Sequence, residues 1–220
     1  MKIINNILRV FAVLATLAAL GLLLLYNKTK GELIGSTVSV FISSVAIYLT
    51  TYLPKILKRK DMKISNTLYW IILLSILFSM GGGFIFRFYE IFNYYDTIVH
   101  FLNGGIIVVI SFAVIKYFVE DSNDHIPLII FVAVLMSLSL GTLWEIYEFL
   151  IDVIFGSNMQ RYKDVHTNIE FIGQKALMDT MIDLIVDTLG AILAGILLYI
   201  DSIKNKTFIN KISFENIETK

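Results

Sequence analysis

The sequence predicts an all-α integral membrane protein with about six transmembrane helices and both termini in the cytoplasm. Three observations carry that expectation. Apolar runs of roughly 20 residues, long enough to cross a hydrocarbon core, recur along the chain. Charged residues make up only 16% of the composition, against about 25% in a soluble domain, and hydrophobic residues make up 57%. One connection, PKILKRKDMK, concentrates Lys55, Lys58, Arg59, Lys60 and Lys63, which marks it as cytoplasmic by the positive-inside rule.

Span one covers about Leu8–Tyr26. Lys2 and Arg9 precede an apolar run that is longer than a signal-peptide core and has no clear cleavage pattern, so it reads as a retained span. Span two covers about Leu33–Leu53 and is closed by Pro54. Span three covers about Thr67–Ile85, and Gly81-Gly82-Gly83 should loosen its end. Span four covers about Thr97–Phe118. Span five runs from about Ile126 to Glu145, with an apolar continuation to Phe155. Span six covers about Ala176–Ile200. No long soluble segment intervenes. Residues 1–200 therefore read as one transmembrane domain, and 201–220 as a short polar cytoplasmic tail. The longest connection, 156–175, is a candidate surface-lying or re-entrant segment. On this topology twelve basic residues lie inside and six outside.

Composition also excludes. Net formal charge is zero, which gives no support to nucleic-acid binding. The absence of cysteine removes disulfides, thiolate metal sites and cysteine nucleophiles. Three histidines leave little room for an imidazole-rich metal centre.

Charge inside the spans is concentrated at one end. Asp179, Asp183 and Asp187 are spaced by four at the start of span six and share one helix face. Asp96 and His100 have the same spacing at the start of span four. Glu145, Glu148 and Asp152 form a stripe at the end of span five. These three ends lie on the same side of the membrane whichever way the protein faces. A charge at the centre of a membrane helix costs about 2.5–3.5 kcal/mol on insertion scales, so lipid-facing carboxylates are disfavoured and a shared interior site is expected.

Hard divalent cations prefer oxygen ligands, and one histidine among acids suits a divalent metal such as Mg²⁺, Mn²⁺ or Zn²⁺. The expected metal ligands are His100, Glu145, Asp183 and Asp187. Asp96 would orient His100, Asp179 would support the site, and Glu148 is the candidate general base. A carboxylate cluster that shares protons needs no metal. Blander readings exist for several residues. Asp179 can be a solvated acid at a helix N-terminus, Asp96 a cap, and Asp152 an outer-loop residue. Trp144, Tyr94 and Tyr95 read as interface aromatics, and Gly190, Ala191 and Gly195 as a close-packing surface. An anion would need a bridging cation, or Arg87, Arg161 and Lys163 from the outer loops.

The ordered set Asp96-x3-His100, Trp144-Glu145-x2-Glu148 and Asp179-Thr180-x2-Asp183-x3-Asp187-Thr188-Leu189-Gly190 resembles the YjdF-like bacterial inner-membrane proteins. That resemblance covers about Asp96 to Gly195 and implies a location in the bacterial inner membrane. A weaker likeness, through Asp96-x3-His100-Phe101, Glu145 and Asp183-x3-Asp187-x2-Gly190, is to VanZ-like proteins associated with glycopeptide resistance. There Asp187 stands where that pattern has Asn. The likeness implies an envelope-related role.

The function expected from these observations is a multi-pass protein of the lipid bilayer with an acidic, divalent-cation-binding site near the extracytoplasmic face. It would act on a lipid-linked or phosphate-bearing envelope substrate. The alternatives are a non-catalytic accessory or envelope-resistance protein, with buried acids paired to Arg87 or to a partner, and a cation- or proton-coupled transporter.

Overall fold

Long apolar stretches without internal breakers become helices, because only a helix satisfies every backbone group within its own segment in lipid. In the computed structural model these are α1 (Lys2–Leu25), α2 (Gly31–Lys58), α3 (Asn66–Ile76), α4 (Phe88–Ile91), α5 (Tyr95–Phe118), α6 (Ile126–Phe155) and α7 (Met178–Ile203). A π-helical stretch, Leu77–Ile85, continues α3. The structure describes residues 2–25, 31–119, 122–164 and 167–217. The expected end of span one at Tyr26, and the histidine at 166, lie outside them. Among the described residues six helices are long and apolar enough to cross a membrane. The protein is an all-α membrane protein with six such helices.

Element boundaries differ from expectation in instructive ways. Pro54 lies inside α2, which runs one more turn to Lys58. The apolar continuation of span five is helical as far as Phe155, where Gly156 turns into the left-handed region at φ 66° and its N–H caps Asp152 O. Glu145, Glu148 and Asp152 therefore ride on one helix. The triple glycine does not simply loosen span three. It lies in the π-helical stretch, and a Cβ on Gly82 or Gly83 would collide with the Tyr95 hydroxyl or the Tyr89 ring. The bare backbone is a seat for two tyrosines. Tyr95 is buried and donates its hydroxyl to Phe78 O at 2.5 Å, so it is not an interface aromatic, whereas Tyr94 is exposed.

The segment after α7 folds back onto the helices. Asp201 accepts from the N–H groups of Phe208 (3.0 Å) and Ile209 (2.9 Å), and Ile209 and Ile212 are fully buried. Strand β2 (Phe214–Asn216) then pairs antiparallel with β1 (Met62–Ile64), with Lys63 opposite Glu215. That pairing ties the connection after span two to the segment after span six. Six crossings require both to be on one side, and this contact meets that requirement.

Helices α5, α6 and α7 pack mutually, and α5 and α7 make the most extensive contact in the molecule. Glycine decides how closely they approach. A Cβ on Gly104 would collide with the backbone carbonyl of Asp187, and one on Gly190 with that of Phe101. Gly195 and Ala191 extend the small surface toward α6, where a Cβ on Gly195 would lie 2.9 Å from Val134 Cγ2. Below this contact Val108, Phe112, Ile129, Ile130, Ala133, Ala191 and Leu198 form an apolar core.

Two outcomes are expected. Gly104→Val should cost about 1–3 kcal/mol or more by overpacking against a carbonyl that cannot yield, read as a lowered unfolding temperature in detergent. The chain has no cysteine, so single substitutions can be labelled cleanly. Lys60→Cys and Glu215→Cys should react from one membrane face and Glu90→Cys from the other. Labelling of Lys60→Cys and Glu215→Cys from opposite faces would contradict the fold.

Candidate functional site

The N-terminal turns of α5 and α7 and the last turns of α6 meet at one end of the bundle. Asp96 and His100 come from α5, Glu145, Glu148 and Asp152 from α6, and Asp183 and Asp187 from α7; all seven are buried. Asp179 is half-buried at the rim. The i, i+4 spacings thus deliver their side chains inward, as expected of charges that lipid rejects.

His100 is the hub. Its Nδ1 lies 3.2 Å from Asp187 Oδ2. Its Nε2 faces away from that contact, 3.7 Å from Asp96 Oδ1 and 3.9 Å from Glu145 Oε1. Asp187 is seated over Gly141 of α6, where a Cβ would come within 2.6 Å of Oδ2. Among the described residues two sets of side chains bring ligand-type atoms within 4.8 Å of one another: Asp96, His100 and Asp183, and His100, Glu145 and Glu148. Asp187 belongs to neither, since its carboxylate is turned to the other ring nitrogen.

The hydrogen-bond inventory separates satisfied acids from unsatisfied ones. Asp152 accepts from Ser157 Oγ (2.6 Å), Met159 N (2.7 Å) and Gln160 N (2.9 Å). It is therefore a buried clamp for the following loop and not an outer-loop residue. Glu148 accepts from Trp144 Nε1 at 2.9 Å, so Trp144 serves the cluster as well as the interface. By contrast both oxygens of Glu145, Oδ2 of Asp183 and Oδ2 of Asp179 are buried and make no hydrogen bond of good geometry among the described residues, although Gln160 and Thr180 stand beside the Glu145 carboxylate. Glu145 is 4% exposed and Asp183 2%. Unpartnered buried carboxylate oxygens are costly, by about 1–3 kcal/mol each or more when charged.

Among the described residues one cation besides His100 reaches the cluster. Arg161, in the α6–α7 connection, places Nη2 3.4 Å from Asp96 Oδ2 and Nη1 3.7 Å from Asp179 Oδ1. Its backbone is left-handed at φ 47°, an uncommon conformation for a non-glycine residue. Gln160, its neighbour, donates to Glu145 O (3.3 Å) and Thr180 Oγ1 (2.9 Å), lacing the loop to α6 and α7. Arg87 pairs with Glu90 on the surface instead, so it is not the partner of the buried acids. Lys163 points its Nζ to Gly156 O.

Tyr89, in α4, completes the wall. Burial pushes its phenol well above its ordinary pKa, and the carboxylates of Asp96, Glu148 and Asp183 add to the shift. It therefore faces the acids as a neutral hydroxyl. Sequence reasoning missed Tyr89, Gln160 and Thr180. Its one available signal was the glycine triplet, a cradle that requires a ring to fill it.

A separate apolar groove of about 720 Å³ runs along α3, α5 and α7, past Phe78, Phe101, Ile106, Leu193 and Leu197.

Residues 8–203 match a family described as "Predicted membrane protein (DUF2238)", and the chain belongs to it. It is also similar to a protein of Thermotoga maritima named only "Uncharacterized protein". The two are 28% identical over 180 residues, which cover 79% of this chain and 81% of that one. No solved structure matches the chain.

Removing the clamp should loosen the loop without dismantling the bundle. In Asp152→Ala the amides of Met159 and Gln160 are expected to lose hydrogen-exchange protection, while those in the centre of α5 keep theirs.

Proposed function

We propose that this member of the DUF2238 membrane-protein family binds a divalent cation at the junction of α5, α6 and α7. The reading rests on one observation above all: among the described residues, no hydrogen bond reaches either oxygen of Glu145 or Oδ2 of Asp183, all three are buried, and both carboxylates group with His100. Six acids (Asp96, Glu145, Glu148, Asp179, Asp183 and Asp187) converge with Arg161 as their one basic partner besides His100 among the described residues. Such an excess of buried negative charge calls for a cation or for protons.

The donor set favours a metal that accepts both imidazole and carboxylate, Mn²⁺ or Zn²⁺ before Mg²⁺. In this reading His100 Nε2, Asp96, Glu145 and Asp183 are the ligands, and Glu148 borders them. Asp187 takes the His100 Nδ1–H, fixes the tautomer and leaves the Nε2 lone pair toward the cation, as carboxylates behind metal-bound histidines do. This exchanges the roles first expected of Asp96 and Asp187. Glu148 keeps the role of candidate base, because one of its oxygens accepts from Trp144 and the other is left for a water.

The basic loop after α2 argues for a cytoplasmic location of that end, which supports an acidic site on the outer face of a bacterial inner membrane, in keeping with the YjdF-like resemblance. The finer reading is an envelope substrate, lipid-linked or phosphate-bearing, held through the cation. The apolar core beneath the acids supports a one-sided site over a transport path.

Purified protein stripped with chelator should gain thermal stability on addition of Mn²⁺ or Zn²⁺, by about 2.7 kcal/mol at a hundredfold excess over Kd. Asp183→Ala and Glu145→Gln should abolish the gain, and Mn²⁺ bound to wild type should show nitrogen coupling from His100 in its electron spin echo. A protein indifferent to every divalent cation tested would sink the proposal. If the substrate binds through the cation, inorganic phosphate should bind the Mn²⁺-loaded protein and not the stripped one.

A further inference from the structure

We infer that Arg161 is a built-in counter-cation that plugs the mouth of the site, and that a divalent cation loads from the aqueous side by displacing its guanidinium. This rests on the cation reading above and extends it to how an ion enters the site.

The coupling is through Asp96. Its Oδ1 faces His100 Nε2, while its Oδ2 faces the Arg161 guanidinium. One carboxylate is thus shared between the ion position and the arginine, and an ion that draws on Asp96 competes with Arg161 for it. Asp179, the second carboxylate that Arg161 engages, stands one turn before Asp183 on α7 and keeps a buried, unpartnered oxygen. The guanidinium therefore ties α5 to α7 across the mouth, in the position where uncompensated charge would otherwise push the two helices apart.

The geometry favours a side-chain swing over a moving loop. The backbone on both sides of Arg161 is held, by Asp152 on Met159 and Gln160 and by the reciprocal bonds between Asn158 and Lys163 (2.8 and 3.1 Å). The Arg161 side chain is 35% exposed, unlike the acids it covers, so water already reaches it. Its contacts of 3.4 and 3.7 Å are ion pairs longer than good hydrogen bonds, and long side chains in such pairs exchange readily. The Arg161 backbone is left-handed, and its side chain reaches Asp96 and Asp179.

The sign of the effect follows from Coulomb's law. A fixed positive charge next to the position of a doubly charged ion lowers its affinity, and removing it raises affinity. Arg161→Asn is the informative variant, because asparagine tolerates the left-handed conformation and carries no charge. Titration of full-length protein in detergent with Mn²⁺, followed by its free electron paramagnetic signal, should show Arg161→Asn binding at least about tenfold tighter than wild type. Arg161→Lys, which keeps the charge, should stay within about threefold of wild type. Without metal, Arg161→Asn should melt below wild type, and with saturating Mn²⁺ the gap should close. Unchanged or weaker Mn²⁺ binding in Arg161→Asn, beside a wild type that binds, would overturn the plug and leave the cation site standing. Weakening seen only when inorganic phosphate is present would also overturn it, by making Arg161 a ligand for an anion. Absence of Mn²⁺ binding in both proteins would overturn the cation reading and the plug together.

Discussion

Everything at the acidic end depends on the backbone contact between α5 and α7. Gly104 meets the carbonyl of Asp187, and Gly190 meets that of Phe101. No side chain fits between them. At that separation the His100 ring and the Asp187 carboxylate, one turn above on facing helices, come within hydrogen-bond distance. Ser137 of α6 adds a third strand to the seam by donating to Gly104 O at 2.7 Å. Small residues at helix crossings in lipid serve this end, since apolar surface alone gives little drive to associate where the solvent is itself apolar.

Once the seam is set, the fate of each acid is decided by its neighbours. Asp152 spends its charge on two backbone amides and a serine hydroxyl, and so builds the loop that carries Arg161. Asp187 turns to His100. Glu145 and Asp183 are left with unpaired oxygens in a closed space. Such atoms are rare in a folded protein, because leaving one unmade is more costly than making an ordinary bond is favourable. Their grouping with a single imidazole, and not their number, is the argument for a cation.

The opposite end of the bundle is organised by different means. The returning segment after α7 contributes Ile209 and Ile212 to the core and pairs with the basic connection through β1 and β2. Arg9 of α1 is satisfied without an acid, through Thr51 Oγ1, Thr51 O and Asn6 Oδ1, with its guanidinium over the Tyr52 ring. The asymmetry is marked: fixed hydrogen-bond networks at one face, and surplus carboxylates at the other.

Local spacing was enough to reveal much of this. The number of spans, the faces shared by Asp96 and His100 or by Asp179, Asp183 and Asp187, and the common side of three helix ends all follow from a 3.6-residue period and the thickness of a bilayer. None of the three depends on which helices are neighbours. What tertiary structure decided is pairwise and non-local. It chose Asp187 over Asp96 as the partner of Nδ1, turned Asp152 into a clamp, moved Tyr95 from the interface to the interior, and brought Arg161 rather than Arg87 to the acids. A periodicity states the face on which a side chain lies. Only the glycine-controlled distance between two backbones, set by residues far apart in sequence, states which atoms on those faces can touch.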